Sequence, residues 1–153
     1  MKITLFNRHV TVLDYAYLDD HHGVVGNSLW VNVNFVGETD HEGVIYDFSL
    51  AKKKVKQIID EQVDHRLVIP EGLIKKDGGD VSFKYHYGFD EKYLTYKCPS
   101  EGIVELPTKY VSYQNLQSYL EKIVMEQMPK NIVSVELELE EEELLDQGKF
   151  HYT

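Results

Sequence analysis

Alternation of apolar and polar residues along the chain predicts β-strands in several places. The clearest stretches are residues 29–35, 81–87 and 133–139, where every second residue is aliphatic or aromatic. Residues 10–18 are a weaker case, because β-branched and aromatic side chains occur at both phases of the alternation. Each stretch can present one apolar face to a core, so we predict four strands at these positions.

Two further segments follow the helical period. Residues 51–59 carry an apolar stripe with lysines mostly off it, and residues 116–124 carry a second one. Ser112 precedes the second segment, and we predict that it is the helix N-cap. The glycine- and tyrosine-rich section between the two helices predicts an irregular hairpin. This order of elements favours an α+β fold, an antiparallel sheet with two helices on one face.

Composition narrows the class of protein. A length of 153 residues fits a single domain, 1–153, and the formal charge of −10 argues against a nucleic-acid partner or an anionic membrane surface. Residues 136–153 contribute −6 of that charge through a glutamate run, which we interpret as a solvated strand end. The sequence has no apolar run of membrane-span length and no secretion signal, so we expect a cytoplasmic protein. Cys98 is the single cysteine, which excludes an internal disulfide, and we predict a packed thiol.

Three motifs in order carry a resemblance to a known family. Residues 37–48, G-E-T-D-H-E-G-V-I-Y-D-F, are followed by the lysine-rich helix and then by D-H-R-L at residues 64–67. Q-N-L at residues 114–116 opens the second helix. This series resembles the 6-pyruvoyl-tetrahydropterin synthase and 6-carboxytetrahydropterin synthase family, with its G-x-x-D-x-x-G-x-x-x-D-F and D-H-x-x-L motifs. The resemblance covers about residues 3–69 and 110–137 and leaves about 73–106 as an insertion.

The resemblance implies a tunnelling fold, in which sheets of several copies close into a barrel. It therefore implies a homo-oligomer, a trimer or hexamer, with pterin or purine-like heterocycles bound between subunits. It also implies a zinc ion held by three histidines, a catalytic cysteine, an Asp-His pair and a glutamate that anchors the pterin. Three imidazoles would leave one zinc position open for substrate oxygens.

The positions that match the zinc histidines carry other residues. The best frame gives Ala16, or Tyr17 after a one-residue shift, for the first histidine, and Val25 and Asn27 for the other two. The cysteine position is His21. We therefore expect no metal and no zinc cofactor, and a degenerate active site.

The remaining candidates are few. Asp64 and His65 match the Asp-His pair; they are a candidate catalytic proton relay, or a structural hydrogen-bonded histidine at a helix end. Ser112, Gln114 and Glu136 are candidate ligand-binding residues, although the best frame places Leu137 at the anchoring position and the family's carboxylate at position 114 is here an amide.

Some features have both a functional and a structural interpretation. His21 and His22, which follow Asp19 and Asp20, form either a replacement metal site or a solvated loop. Tyrosines 85, 87, 93 and 96 either stack on a planar ligand or pack within the hairpin and against other subunits. We predict that Asp47 is a helix-start cap.

Two functions remain open. The first is a synthase-like protein that binds a pterin or purine-like heterocycle at subunit interfaces without zinc chemistry. The alternative is an active carbon–oxygen or carbon–carbon lyase of pterin or queuosine biosynthesis. It would act on dihydroneopterin triphosphate with no metal or with a metal site rebuilt around His21, His22 or His65.

Overall fold

A computed structural model describes residues 2–38 and 48–141, with the side chains of Phe48 and Ser49 left out. Residues 39–47, which include Asp47 and most of the first family motif, lie outside the described residues. So do residues 142–153, with the later part of the glutamate run. Strands β1 (Lys2–Asp19) and β2 (Gly23–Glu38) form one long antiparallel hairpin.

The other elements follow in chain order. They are α1 (Phe48–Gln62), β3 (Leu67–Ile69), β4 (Lys75–Asp77), β5 (Asp80–Tyr87), β6 (Lys92–Pro99), β7 (Ile103–Glu105), α2 (Tyr113–Met125) and β8 (Ile132–Glu141). None of the described helices is both long and apolar enough to cross a membrane. The predicted α+β class with two helices is confirmed.

The main sheet has the strand order β7-β3-β1-β2-β8. The long strands β1, β2 and β8 are antiparallel, whereas the short strands β3 and β7 run parallel to β1 and to each other. Strands β4, β5 and β6 form a separate three-stranded sheet. The predicted insertion at 73–106 thus contains two parts, the separate sheet at 75–99 and strand β7, which completes the main sheet.

One apolar core lies between the main sheet and the two helices. The sheet supplies Leu13, Leu29, Val31, Val33 and Phe35, all fully buried. From the helices come the predicted stripes, represented by Val55 and Ile59 on α1 and by Leu116, Leu120 and Val124 on α2. The apolar residues at helical spacing are the ones that are buried. As helices, α1 and α2 can therefore each bury one apolar face against the same side of the sheet.

The alternation predicted for β8 is wrong at its first residue. Val133 is 43% exposed, whereas Ile132 is buried. The cause is a register shift against β2 between Val36 and Gly37, which places Ile132 opposite Gly37. An irregularity of this kind moves a side chain to the other face of a strand, and no alternation pattern reveals it.

A second apolar cluster joins the separate sheet to the end of the main sheet. Leu18, Leu67 and Ile69 of the main sheet meet Val81 and Phe83 of β5. Close packing continues at Gly23, where a Cβ would lie 3.2 Å from the ring of Tyr87 and where φ is +82°. Glycine at the start of β2 therefore allows both the turn and the approach of the separate sheet.

Candidate functional site

An open cleft of about 1000 Å³ surrounds the end of the β1–β2 ladder. Residues 14–16 and 26–28 form its floor, residues 65–67 after α1 form one wall, and the separate sheet contributes Tyr96. Glu141, at the end of β8, also lines the cleft. The cleft therefore lies where the motif D-H-R-L meets the two strands that should carry the zinc ligands.

Strand register decides which of the predicted metal positions converge. Tyr15 lies opposite Asn27 and Tyr17 opposite Val25, whereas Ala16 lies opposite Gly26. Residues directly opposite each other in an antiparallel pair share one face of the sheet, and neighbours along a strand point to opposite faces.

The assignment of Ala16 to the first zinc position is therefore wrong. Val25 and Asn27 share their face with Tyr15 and Tyr17, which pack in the core on the helix side, while Ala16 packs against the second cluster. The shifted frame with Tyr17 fits the geometry. Neither frame supplies an imidazole, so the residues present do not fit the three-histidine zinc site.

Asp64 and His65 fasten the end of α1 to β1. One carboxylate oxygen of Asp64 accepts the backbone N–H of Asp14 at 2.8 Å. The backbone N–H of His65 donates to the carbonyl oxygen of Asp14 at 2.7 Å. His65 has φ of +60°, a conformation uncommon for a residue with a side chain, and these two bonds hold it there.

The same pair faces the cleft. The His65 side chain is 77% exposed, and its Nε2 lies 3.2 Å from the second carboxylate oxygen of Asp64, whose side chain is 14% exposed. Asp14 joins them, and its carboxylate accepts a short hydrogen bond from the Ser28 hydroxyl. The ligand atoms of Asp14, Asp64 and His65 lie within 4.8 Å of one another. Such a group can orient an imidazole for proton transfer or supply ligands to a divalent cation.

A chain of polar side chains lies on the adjoining face. The Asn27 side-chain amide donates to the hydroxyl oxygens of Tyr15 at 3.2 Å and Tyr113 at 3.0 Å. The Tyr113 hydroxyl in turn donates to Glu141 at 3.0 Å. Burial raises the pKa of Tyr15 to about 12 and also raises the pKa of Tyr113 above its ordinary value. Both hydroxyls therefore keep their protons at neutral pH.

Three of the four singled-out tyrosines have packing roles. Tyr85 packs against the second apolar cluster, and Tyr87 lies against Gly23. Tyr93 has the Lys84 ammonium 4.2 Å from its ring centroid. Tyr96, 38% exposed, also borders the cleft and is the one of the four placed to contact a ligand there.

The remaining predicted site residues do not meet Asp64 and His65 within one chain. Ser112 is the N-cap of α2, as predicted, and accepts the backbone N–H of Asn115 at 3.1 Å. Gln114 is exposed in the first turn of α2. Glu136 is exposed opposite Asn34, five residues before Glu141, which is about 16 Å along the strand. Their ligand-binding roles stay predictions.

The histidines of the β1–β2 turn and the cysteine lie elsewhere. His22 Nδ1 is 2.8 Å from Asp19, and His21 Nε2 is 3.7 Å from Asp20. Within the described residues, neither histidine belongs to a group of three or more convergent metal-ligand side chains. Cys98 packs against the second cluster, where burial raises the pKa of its thiol and so disfavours the reactive thiolate.

Sequence reasoning missed three residues of the cleft, Asp14, Tyr15 and Glu141, and also Tyr113, which is hydrogen-bonded to Asn27 and Glu141. One signal was present, because Asp14 is the lone carboxylate within an otherwise apolar stretch of β1. Tyr113 and Glu141 gave no signal, since Tyr113 reaches Asn27, and Glu141 reaches Tyr113, only after α2 and β8 have packed.

The chain is similar to known proteins in sequence and in fold. No protein-family model matches the sequence. A curated relative from Methanocaldococcus jannaschii, described as "Putative 6-carboxy-5,6,7,8-tetrahydropterin synthase", is 29% identical over 114 residues, which is 72% of this chain. The match spans 66% of that relative, so this chain corresponds to slightly less than two thirds of its length.

Solved structures agree on the fold. A catalytic-residue mutant of Plasmodium vivax 6-pyruvoyltetrahydropterin synthase superimposes with a TM-score of 0.70 at 19% identity, covering 92% of each chain. The Plasmodium falciparum enzyme gives a TM-score of 0.67 at 19% identity, covering 92% of this chain and 91% of that one. The fold is therefore the tunnelling fold. The sequence match to the curated relative confirms the resemblance to the 6-pyruvoyl-tetrahydropterin and 6-carboxytetrahydropterin synthase family.

Proposed function

We propose that this protein is a synthase-like member of that fold with a degenerate active site, which binds a pterin or purine-like heterocycle in the cleft without zinc chemistry. The observation that carries the proposal is the face shared by Tyr17, Val25 and Asn27, where side chains that bind zinc poorly or not at all replace imidazoles beside an open cleft.

The cleft suits a planar, polar ligand. Its volume is at the upper end of ordinary small-molecule sites. Tyr96 offers an aromatic face, and the Ser28 hydroxyl oxygen and the Glu141 carboxylate offer hydrogen-bond acceptors in the cleft. A flat heterocycle with oxo and amino substituents would use both kinds of contact.

Assembly is part of the proposal. The outer edge of β8 has no neighbouring strand among the described residues, and such an edge is suited to pairing with a second copy. We propose a cytoplasmic homo-oligomer, a trimer or hexamer, in which Ser112, Gln114 and Glu136 of one subunit complete the cleft of another.

Blocking the cleft tests the binding. A Cβ at Gly26 meets no atom within 4 Å, so Gly26→Leu fills the floor at little cost to folding. Gly79→Leu is the matched control, because a Cβ there also meets nothing and the residue lies in the β4–β5 turn. Pterin or guanine should raise the melting temperature of the parent protein and of Gly79→Leu, and not of Gly26→Leu. The proposal fails if neither compound stabilises the parent protein.

The group formed by Asp14, Asp64 and His65 favours a second candidate function. It could hold a divalent cation in place of the lost zinc site, and the protein would then be an active lyase on dihydroneopterin triphosphate. Purified protein should in that case contain about one metal ion per chain and consume the triphosphate. Asp14→Asn should lose both properties, whereas His22→Ala, changed in the exposed turn, should keep them. Metal-free protein that leaves the triphosphate intact rules this function out.

A further inference from the structure

The orientation of the Asn27 side chain can be read from its partners. Its amide oxygen accepts the backbone N–H of Ser28 at 3.0 Å. The amide nitrogen therefore points to the two tyrosine hydroxyls, and both hydroxyl oxygens act as acceptors of its hydrogens. Each hydroxyl still has its own hydrogen to donate.

Only one of these two hydrogens has an acceptor among the described residues. Tyr113 donates to Glu141 at 3.0 Å. Tyr15 has no acceptor in the described part of the chain, although the residue is only 6% exposed and borders the cleft. A buried donor without an acceptor is costly, so an oxygen supplied by a ligand would be favoured there.

We propose that the Tyr15 hydroxyl is the specificity-determining donor of the cleft and binds a carbonyl oxygen of the heterocycle. This inference rests on the proposed function. It assigns the ligand class as oxo-substituted heterocycles, because a carbonyl oxygen accepts the Tyr15 hydrogen, whereas an amino group would leave that hydrogen without an acceptor and bring a second donor to an oxygen that already accepts from Asn27. The pKa of about 12 keeps that hydrogen in place throughout the neutral range.

Pairs of compounds that differ in one substituent test the inference. Pterin carries an oxo group where 2,4-diaminopteridine carries an amino group, and guanine and 2,6-diaminopurine differ in the same way. The parent protein should bind the oxo member of each pair about tenfold more tightly or better. Tyr15→Phe, which keeps the ring and its packing, should weaken the oxo compound about three- to tenfold and leave the amino compound unchanged.

Tyr119→Phe is the matched control. Tyr119 lies on α2, packs against the apolar core and makes no hydrogen bond with its hydroxyl among the described residues. This variant should keep the preference of the parent protein, and calorimetric titration gives the dissociation constants for all three proteins. An unchanged preference in Tyr15→Phe overturns the inference and leaves the proposed function standing. A parent protein that binds none of the four compounds overturns both.

Discussion

Two parts of the same β1–β2 ladder have opposite characters. In the centre, Leu13 lies opposite Leu29 and both are fully buried. One residue further toward the cleft, Asp14 lies opposite Ser28, and then Tyr15 opposite Asn27. The backbone pairing continues without interruption through both parts, so the difference comes from the side chains alone.

This difference shows how a rigid scaffold holds a polar site. The apolar pairs fix the strands against the helices, and they contribute mainly through area removed from water. The polar pairs are held by specific bonds from Ser28 to Asp14 and from Asn27 to Tyr15. Because the ladder is continuous, the polar side chains are positioned by the adjoining apolar core, and the ring of Tyr15 is itself part of that core.

The largest expected effect lies in the apolar part. Leu29→Ala should lower the free energy of unfolding by about 3 kcal/mol, because it leaves a cavity in a fully buried site. Val24→Ala, at a 49% exposed position of the same strand, should cost less than about 0.5 kcal/mol. Urea unfolding measures both, and equal losses would contradict the division of the ladder into core and site.

The second-largest effect is expected in the polar part of the ladder, where alkaline pH should lower the free energy of unfolding. Burial raises the pKa of Tyr15 to about 12, whereas the unfolded chain titrates near 10.0. As pH rises, the unfolded state loses this proton before the folded state does. The free energy of unfolding is therefore unaffected below pH 10.0 and falls as pH rises toward 12. The decrease in the free energy of unfolding should reach about 2 kcal/mol in the parent protein.

Tyr15→Phe isolates that contribution from the other tyrosines. The unfolding free energy of the parent protein minus that of Tyr15→Phe should fall as pH rises from 10.0 toward 12, because only the parent protein loses stability through this hydroxyl. Tyr17→Phe serves as the reference for a neighbouring tyrosine. A difference that stays constant over this range would place the Tyr15 hydroxyl in solvent and not in the polar network.

A smaller effect is expected where the wall of the cleft meets β1. Asp64→Ala removes the acceptor of the Asp14 N–H and should cost about 1–2 kcal/mol. Asp64→Asn keeps a side-chain oxygen and should recover most of that stability. Hydrogen exchange at the Asp14 amide should accelerate in Asp64→Ala and stay slow in Asp64→Asn. Equal exchange rates in the two variants would show that the attachment of the α1 end to β1 does not depend on this hydrogen bond.

The smallest effect is expected at the turn. Burial acts to raise the pKa of Asp19, but hydrogen bonds from the ring and backbone of His22 and from the backbone of His21 outweigh it and lower that pKa. The resulting stabilisation is present above the unfolded pKa near 3.8 and is lost as pH falls through the folded value. Asp19→Asn should therefore destabilise the protein slightly at about pH 6 and less at about pH 3. Asp20→Asn is the control, because the Asp20 side chain is more exposed than that of Asp19. A loss of stability in Asp19→Asn that does not change with pH would contradict the prediction.

Periodicity predicted the elements whose residues bury one face. The stripe of α1, the stripe of α2 with Ser112 as its cap, and the inward residues of β2 are all found as predicted. It failed at β8, where an irregular register moved Val133 outward, and it gave no sign of β3 and β7. These strands are three residues long and are defined only by pairing with β1 and with each other.

The site was predictable only in part. The motif D-H-R-L located Asp64 and His65, and the departures from the family at Val25 and Asn27 were visible in the sequence. The choice between Ala16 and Tyr17 was not, because it depends on which residues of two strands lie opposite each other.

The sequence by itself determined the fold class and the family resemblance, and it showed that no histidine stands at the three positions that match the family's zinc ligands, since each depends on local pattern or residue identity. Only the tertiary structure decided that Asp14 joins Asp64 and His65 and that Tyr15, Asn27, Tyr113 and Glu141 form one chain. These groups come from segments up to 126 positions apart in the sequence, from Tyr15 to Glu141. Strand register and helix docking bring these groups together. Both are set by burial of the apolar core, so the sequence around the polar residues does not reveal which of them will meet.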